Sequence, residues 1–98
     1  MNKPELIDKI TLKMGKVQRR KIEASVNLIL ELIADKLASG GRAEFRGFGV
    51  FDVKWQKERM ALNPKSGAPV LSRGKAVPKF KVGKELRERV NATHLFFP

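Results

Sequence analysis

Apolar residues at Leu6, Ile7, Ile10 and Met14 recur at helical spacing between Pro4 and Gly15. That period predicts a short amphipathic helix capped by Asn2, started near Pro4 and stopped by Gly15. From about Val17 to Ser39 the same period runs on, with Ile22, Val26, Ile29, Leu30, Ile33 and Leu37 on one stripe and Leu28, Leu32 and Ala34 widening it. A helix apolar over so much of its circumference needs cover on more than one side. One other short helix and a few strands are poor cover, so a second subunit is expected. A strongly twisted sheet within one chain is the alternative, and the oligomer mass separates the two.

Beyond Gly40-Gly41 the period drops to two. Ala43 and Phe45 alternate with Arg42, Glu44 and Arg46; Phe51, Val53 and Trp55 alternate with Asp52, Lys54 and Gln56; Gly47-Phe48-Gly49 lies between as a tight reversal. Residues 42–55 therefore read as a hairpin with one dry face. Over 56–75 apolar content falls while Gly and Pro rise, so this stretch is expected to project as a two-stranded arm. At its centre Asn63-Pro64-Lys65-Ser66-Gly67 has turn chemistry, with proline presetting φ and Gly67 able to take a positive φ. Strand character returns over 76–82, where Pro78 implies an edge strand or a bulge. A short helix over 83–90 follows, with Leu86 and Val90 facing inward, and then a tail, 91–98, whose Leu95-Phe96-Phe97 either docks or stays loose.

The fold class is α+β in a single domain over 1–98: a helical part to residue 41, a three-stranded antiparallel sheet from 42–55 and 76–82, the arm, and a C-terminal helix.

Charge narrows the function. Lys and Arg number 21 against 10 for Asp and Glu, a formal net charge of +11 that points to a polyanion, with nucleic acid the leading candidate. The excess is uneven, +3 over residues 1–41 and +8 over 42–98, so partner-facing chemistry is expected in the second part. A membrane surface fits poorly, because the basic residues are not gathered on one amphipathic segment. No run approaches the ~18 apolar residues of a span, and Met1-Asn2-Lys3-Pro4-Glu5 lacks a signal peptide's apolar core. The absence of cysteine excludes disulfides and thiolate zinc sites and fits a reducing cytoplasm. With His94 as the single histidine and no paired-acid or glycine-loop signature, no enzyme, metal, cofactor or small-molecule substrate is expected.

The order helix, long helix, hairpin, arm, strand, helix resembles the HU/integration-host-factor family of bacterial DNA-bending proteins. The matching phrases are Asn2-Lys3 with Glu5-Leu6-Ile7-Asp8, Arg46-Gly47-Phe48-Gly49-Val50-Phe51, Asn63 to Gly67, Val77-Pro78-Lys79-Phe80-Lys81 and Gly83-Lys84-Glu85-Leu86, so the likeness spans residues 1 to about 91. Arg42-Ala43-Glu44-Phe45-Arg46 and Lys84 to Arg89 are most similar to the β-type branch of the integration host factors. The resemblance implies an intertwined dimer, homodimeric or paired with a homologous α-type subunit, whose arms enter the minor groove of double-stranded DNA in the nucleoid. The family is itself a standing example of minor-groove wedging, so that mechanism comes with the resemblance and not from the residues.

A groove only ~6 Å wide and walled by phosphates demands a narrow, cationic arm. Lys54, Lys57, Arg59, Lys65, Arg73 and Lys75 supply that charge against Glu58 alone; a merely solvated loop is the plainer reading of such a run. Pro64 sits at the family's wedge position, where a rigid apolar ring is expected to slip between base pairs; elsewhere it would be an ordinary turn proline. Met60-Ala61-Leu62 departs from the family's usual Thr-Gly-Arg before Asn63-Pro64, removing a groove-contacting arginine. On an extended strand Met60, Leu62 and Pro64 would face one way, as a hydrophobic wedge face or as packing across the arm. Arg42, Glu44 and Arg46 would share one strand face, and the resemblance implies that Arg46 probes the groove while Glu44 orients it; the bland alternative is a surface ion pair. Lys3, Lys81 and Lys84 are candidate phosphate clamps near helix starts and strand ends. Val26, Leu30, Ile33, Phe48, Phe51 and Phe80 are expected in the dimer core. The rival functions are an HU-like homodimer that compacts DNA without sequence preference, and a scaffold subunit whose arm holds another protein.

Overall fold

The computed structural model describes residues 1–93; His94 and the expected Leu95-Phe96-Phe97 contact lie outside them. The elements are α1 (Lys3–Met14), α2 (Arg19–Ala38), β1 (Ala43–Phe45), β2 (Gly49–Gln56), β3 (Arg59–Leu62), β4 (Pro69–Ser72), β5 (Lys75–Val82) and α3 (Lys84–Thr93). This is the α+β order the sequence predicts. The chain divides into two compact units, Met1–Asp35 and a second from Lys36 onward.

In the first unit Asn2 caps α1, its side-chain oxygen accepting from the Glu5 amide at 2.9 Å, and Pro4 occupies the first turn, where no amide partner is lost. Gly15 closes the helix, its N–H donating to Thr11 O at 3.1 Å. Ile7 of α1 and Ile22 and Val26 of α2 are buried together, with Leu6, Ile10 and Val17 packed around them. Arg19 ties the helices at the surface, 2.7 Å from Asp8 and 3.5 Å from Glu23, and the hydrogen bond to Asp8 raises its pKa further. A core of three buried side chains leaves much of α2 uncovered: Leu28, Ile29, Leu30 and Leu32 are exposed, Leu32 by 58%. Val26, expected at a subunit interface, packs within its own unit, because α1 lays Ile7 on that face.

In the second unit β2 is central in the antiparallel order β1-β2-β5, and β3-β4 form a separate two-stranded ribbon. Phe51 joins the aromatic cluster on one face, 4.7 Å from Phe80 and 6.3 Å from Phe45, and Phe48 lies 5.5 Å from Phe80. Gly49 makes that packing possible: a Cβ there would come within 2.6 Å of the Phe80 ring and 2.5 Å of Lys81 O. The reversal at Gly47 is closed by the Phe48 amide donating to Phe45 O at 2.9 Å. Pro78 lies opposite Val53 on edge strand β5, as its missing N–H requires.

Gly83 joins sheet to α3 by donating to Phe48 O at 2.8 Å and accepting from Arg87 N at 3.0 Å. The expected end at Val90 is corrected: with no glycine or proline in Asn91-Ala92-Thr93, the helix runs on to Thr93. Leu86 is half-buried, but Val90 is 48% exposed and does not face inward. Among the described residues no helix is long and apolar enough to cross a membrane.

Candidate nucleic-acid interface

The arm is a direct continuation of the sheet. Pairing in β2-β5 ends at Gln56↔Lys75 and resumes in β3-β4 at Arg59↔Ser72, continuing through Met60↔Leu71 and Ala61↔Val70 to Leu62↔Pro69. Two residues on each strand, 57–58 and 73–74, lie in the gap, so the register is unbroken although the ladder is not. At about 3.3 Å per residue the stretch from Gln56 to Leu62 reaches roughly 20 Å. The gap is marked by an open cleft of about 380 Å³ lined by Gln56, Lys57, Glu58, Arg59, Ser72 and Arg73. Trp55 closes over Gly74, where an added Cβ would meet the indole and Gln56 O at 3.1 Å.

Asn63 builds the tip. Its amide donates to Ala68 O at 2.8 Å, its carbonyl accepts from Gly67 N at 2.7 Å, and its side-chain oxygen accepts from Lys65 N at 2.9 Å. Ser66 Oγ accepts from Ala68 N at 3.3 Å, and Gly67 takes the positive φ of 72° that closes the loop. Pro64 thus stands exposed at the head of a braced loop, at a position where no N–H is required. Asn63, read from the sequence as part of the arm's turn, also braces that turn through its side chain, as an asparagine before a turn proline can.

Lys54, Lys57, Arg59, Lys65, Arg73 and Lys75 are all exposed. Among the described residues the ion pairs involve none of these six.

The other predicted sets come together only in part. Arg42 Nη2 lies 3.1 Å from Glu44 Oε2, while Arg46 sits beyond β1 in the reversal. The carboxylate expected to orient Arg46 is engaged by Arg42, because β1 ends at Phe45 and the alternation does not reach residue 46. The common face of Met60 and Leu62 likewise stops at Leu62, since Pro64 belongs to the turn. Of the candidate clamps, Lys81 lies 3.5 Å from Asp52, Lys84 opens α3 and lies 4.0 Å from Glu88, and Lys3 opens α1 in the first unit. Of the predicted dimer core, Phe48, Phe51 and Phe80 form one cluster, Leu30 is 49% exposed and Ile33 half-buried. Pro69 and Leu71 went unnoticed in the sequence, because their places opposite Leu62 and Met60 are set by the register of the two strands.

A helical pair, a small antiparallel sheet and a cationic ribbon with proline at its tip define a protein built to engage a grooved polyanion. The family described as bacterial DNA-binding protein matches residues 1–91. The chain is 50% identical to integration host factor subunit beta of Idiomarina loihiensis and 48% identical to that of Colwellia psychrerythraea, each over 91 residues, 93% of this chain and 97% and 96% of the relatives. Among solved structures it is similar to an Anabaena HU–DNA cocrystal structure, with TM-score 0.83, 34% identity and coverage of 92% of this chain and 97% of that one. HU from Thermotoga maritima matches with TM-score 0.65, 34% identity and coverage of 92% and 98%. The chain belongs to the bacterial DNA-binding protein family of HU and integration host factor.

Proposed function

We propose that this chain is one subunit of a dimeric architectural protein of the nucleoid, which lays its arms in the minor groove of double-stranded DNA and kinks the duplex by inserting Pro64 between base pairs. The observation that carries this reading is the arm that keeps the sheet's register and ends in a loop braced around Pro64, with six exposed cations along it. A proline ring carried on a loop that Asn63 braces with three hydrogen bonds, one donated and two accepted, has little freedom left to lose on insertion, and wedging at the groove is what makes bending by such proteins favourable. Dimerisation would cover the apolar side of α2, and the partner is a second copy or an α-type subunit. The relatives carry the name of a β subunit, which supports the second.

The bent duplex would serve recombination, replication or transcription assemblies. Lys81 and Lys84 would hold phosphates beside the kink, and Arg42, Glu44 and Arg46 would sense groove width. The test is fluorescence transfer between the ends of a duplex of about 35 base pairs, long enough for the wrapped geometry of architectural proteins. The parent should draw the ends together and Pro64→Ala should abolish most of that approach while retaining binding. Full bending by Pro64→Ala would refute the wedge. Native mass spectrometry of the same complexes gives the subunit composition.

A further inference from the structure

Met60 and Leu71 are cross-strand partners, so their side chains project from one face of the arm, the face that Leu62 and Pro69 continue toward the tip. Met60 is 62% exposed, and the other three also lie open to solvent. The chain's other methionines are placed differently. Met14 lines an apolar groove with Ile10, Val17 and Ile29, on the side of α2 that dimerisation would cover. Met1 precedes α1 in the other unit, its sulfur 4.0 Å from Lys9 Nζ.

The place of Met60 also makes a chemical change there survivable. Oxidation of a core methionine disrupts packing, because a flexible apolar chain becomes a polar, chiral one. No residue of β3 is buried and the ribbon is held by its ladder, so a sulfoxide at Met60 alters the surface and spares the fold. The same exposure admits the reductases that reverse the change, one for each sulfoxide epimer.

We propose that Met60 is a reversible oxidation site, through which a peroxide loosens the arm's hold on DNA. The inference rests on the minor-groove reading above and adds chemical control to it. The sulfur lone pair attacks one oxygen of hydrogen peroxide; an S–O bond forms and the O–O bond breaks. The transferred hydroxyl gives its proton to the departing one, which leaves as water, so sulfur loses two electrons and the peroxide gains them. The sulfoxide oxygen is a strong acceptor, and the phosphate walls of a groove offer it no donor. Seating the arm then leaves that oxygen stripped of water and unpaired, which weakens binding by about tenfold.

The test treats the full chain with hydrogen peroxide, follows each methionine by peptide mass spectrometry and measures affinity for a random duplex of about 35 base pairs by fluorescence anisotropy. Met60 should oxidise before Met14, and affinity should fall about tenfold with an unchanged melting curve. Methionine sulfoxide reductases of both epimer specificities, with a thiol reductant, should restore it to within about twofold of the untreated value. Met60→Leu, compared with its own untreated affinity, should lose less than about twofold, whereas Met14→Leu should lose as much as the parent. Full oxidation of Met60 without loss of affinity, or a loss that persists in Met60→Leu, overturns the inference while leaving the minor-groove reading intact. Failure of the untreated chain to bind or bend the duplex sinks that reading, and this inference with it, before any peroxide is added.

Discussion

The sheet body and the arm share one strand register, yet they are held by different forces. In the body, β2 and β5 bring Phe51 and Phe80 within 4.7 Å, and Phe48 and Phe45 extend the cluster. In the arm, no residue of β3 or β4 is buried, and order rests on the ladder and on Asn63 at the tip. Packing can thus be withdrawn from a strand pair without losing register, provided a sheet fixes one end and a turn the other. The side chains so released are the ones a ligand can use.

The sharpest way to break this comparison is to replace residues 57–74 by a two-residue Asn-Gly turn, which closes the body at Gln56↔Lys75. Duplex affinity should fall by roughly 100-fold or more and bending should vanish, because the phosphate-directed cations go with the arm, while the melting temperature stays within about 4 °C. Phe51→Ala should do the opposite: a loss of about 3 kcal/mol in urea unfolding, with the arm chemistry untouched in whatever fraction remains folded. Asn63→Ala is expected to be milder, about 1 kcal/mol, seen as faster amide exchange at Lys65 and a reduced bend with little change in global stability. The smallest effect should come from Glu44→Ala, within about 0.5 kcal/mol in stability because the pair with Arg42 is exposed. If β1 contributes to readout, the same variant lowers the ratio of affinities for a preferred site over random duplex; an unchanged ratio removes Glu44 from that role.

The periodic elements were legible in the sequence because burial writes them: Ile7, Ile22 and Val26 at helical spacing, and Phe51 among alternating residues, lie where the pattern predicts. The arm was legible for the opposite reason, as a stretch whose pattern supports no core but whose centre has turn chemistry. Its inner detail was not. Nothing in the local sequence says that Leu71 faces Met60, since that follows from register, a relation between segments fixed by the turn and the sheet. Arg46 falls outside β1 for a related reason, because the expected strand face extended the alternation one residue past the end of a short strand. The extra turn of α3 shows the usual ambiguity of helix ends where no breaker stands.

The shared register also restricts how such an arm can evolve. Inserting one residue into either strand between Arg59 and Leu62 or between Pro69 and Ser72 would turn every side chain beyond it to the opposite side, moving Met60 or Leu71 out of line with its partner. Length can therefore change only in matched steps on both strands at once. Reach becomes a quantised trait, and substitution at fixed length is the route by which descendants adjust what the arm prefers.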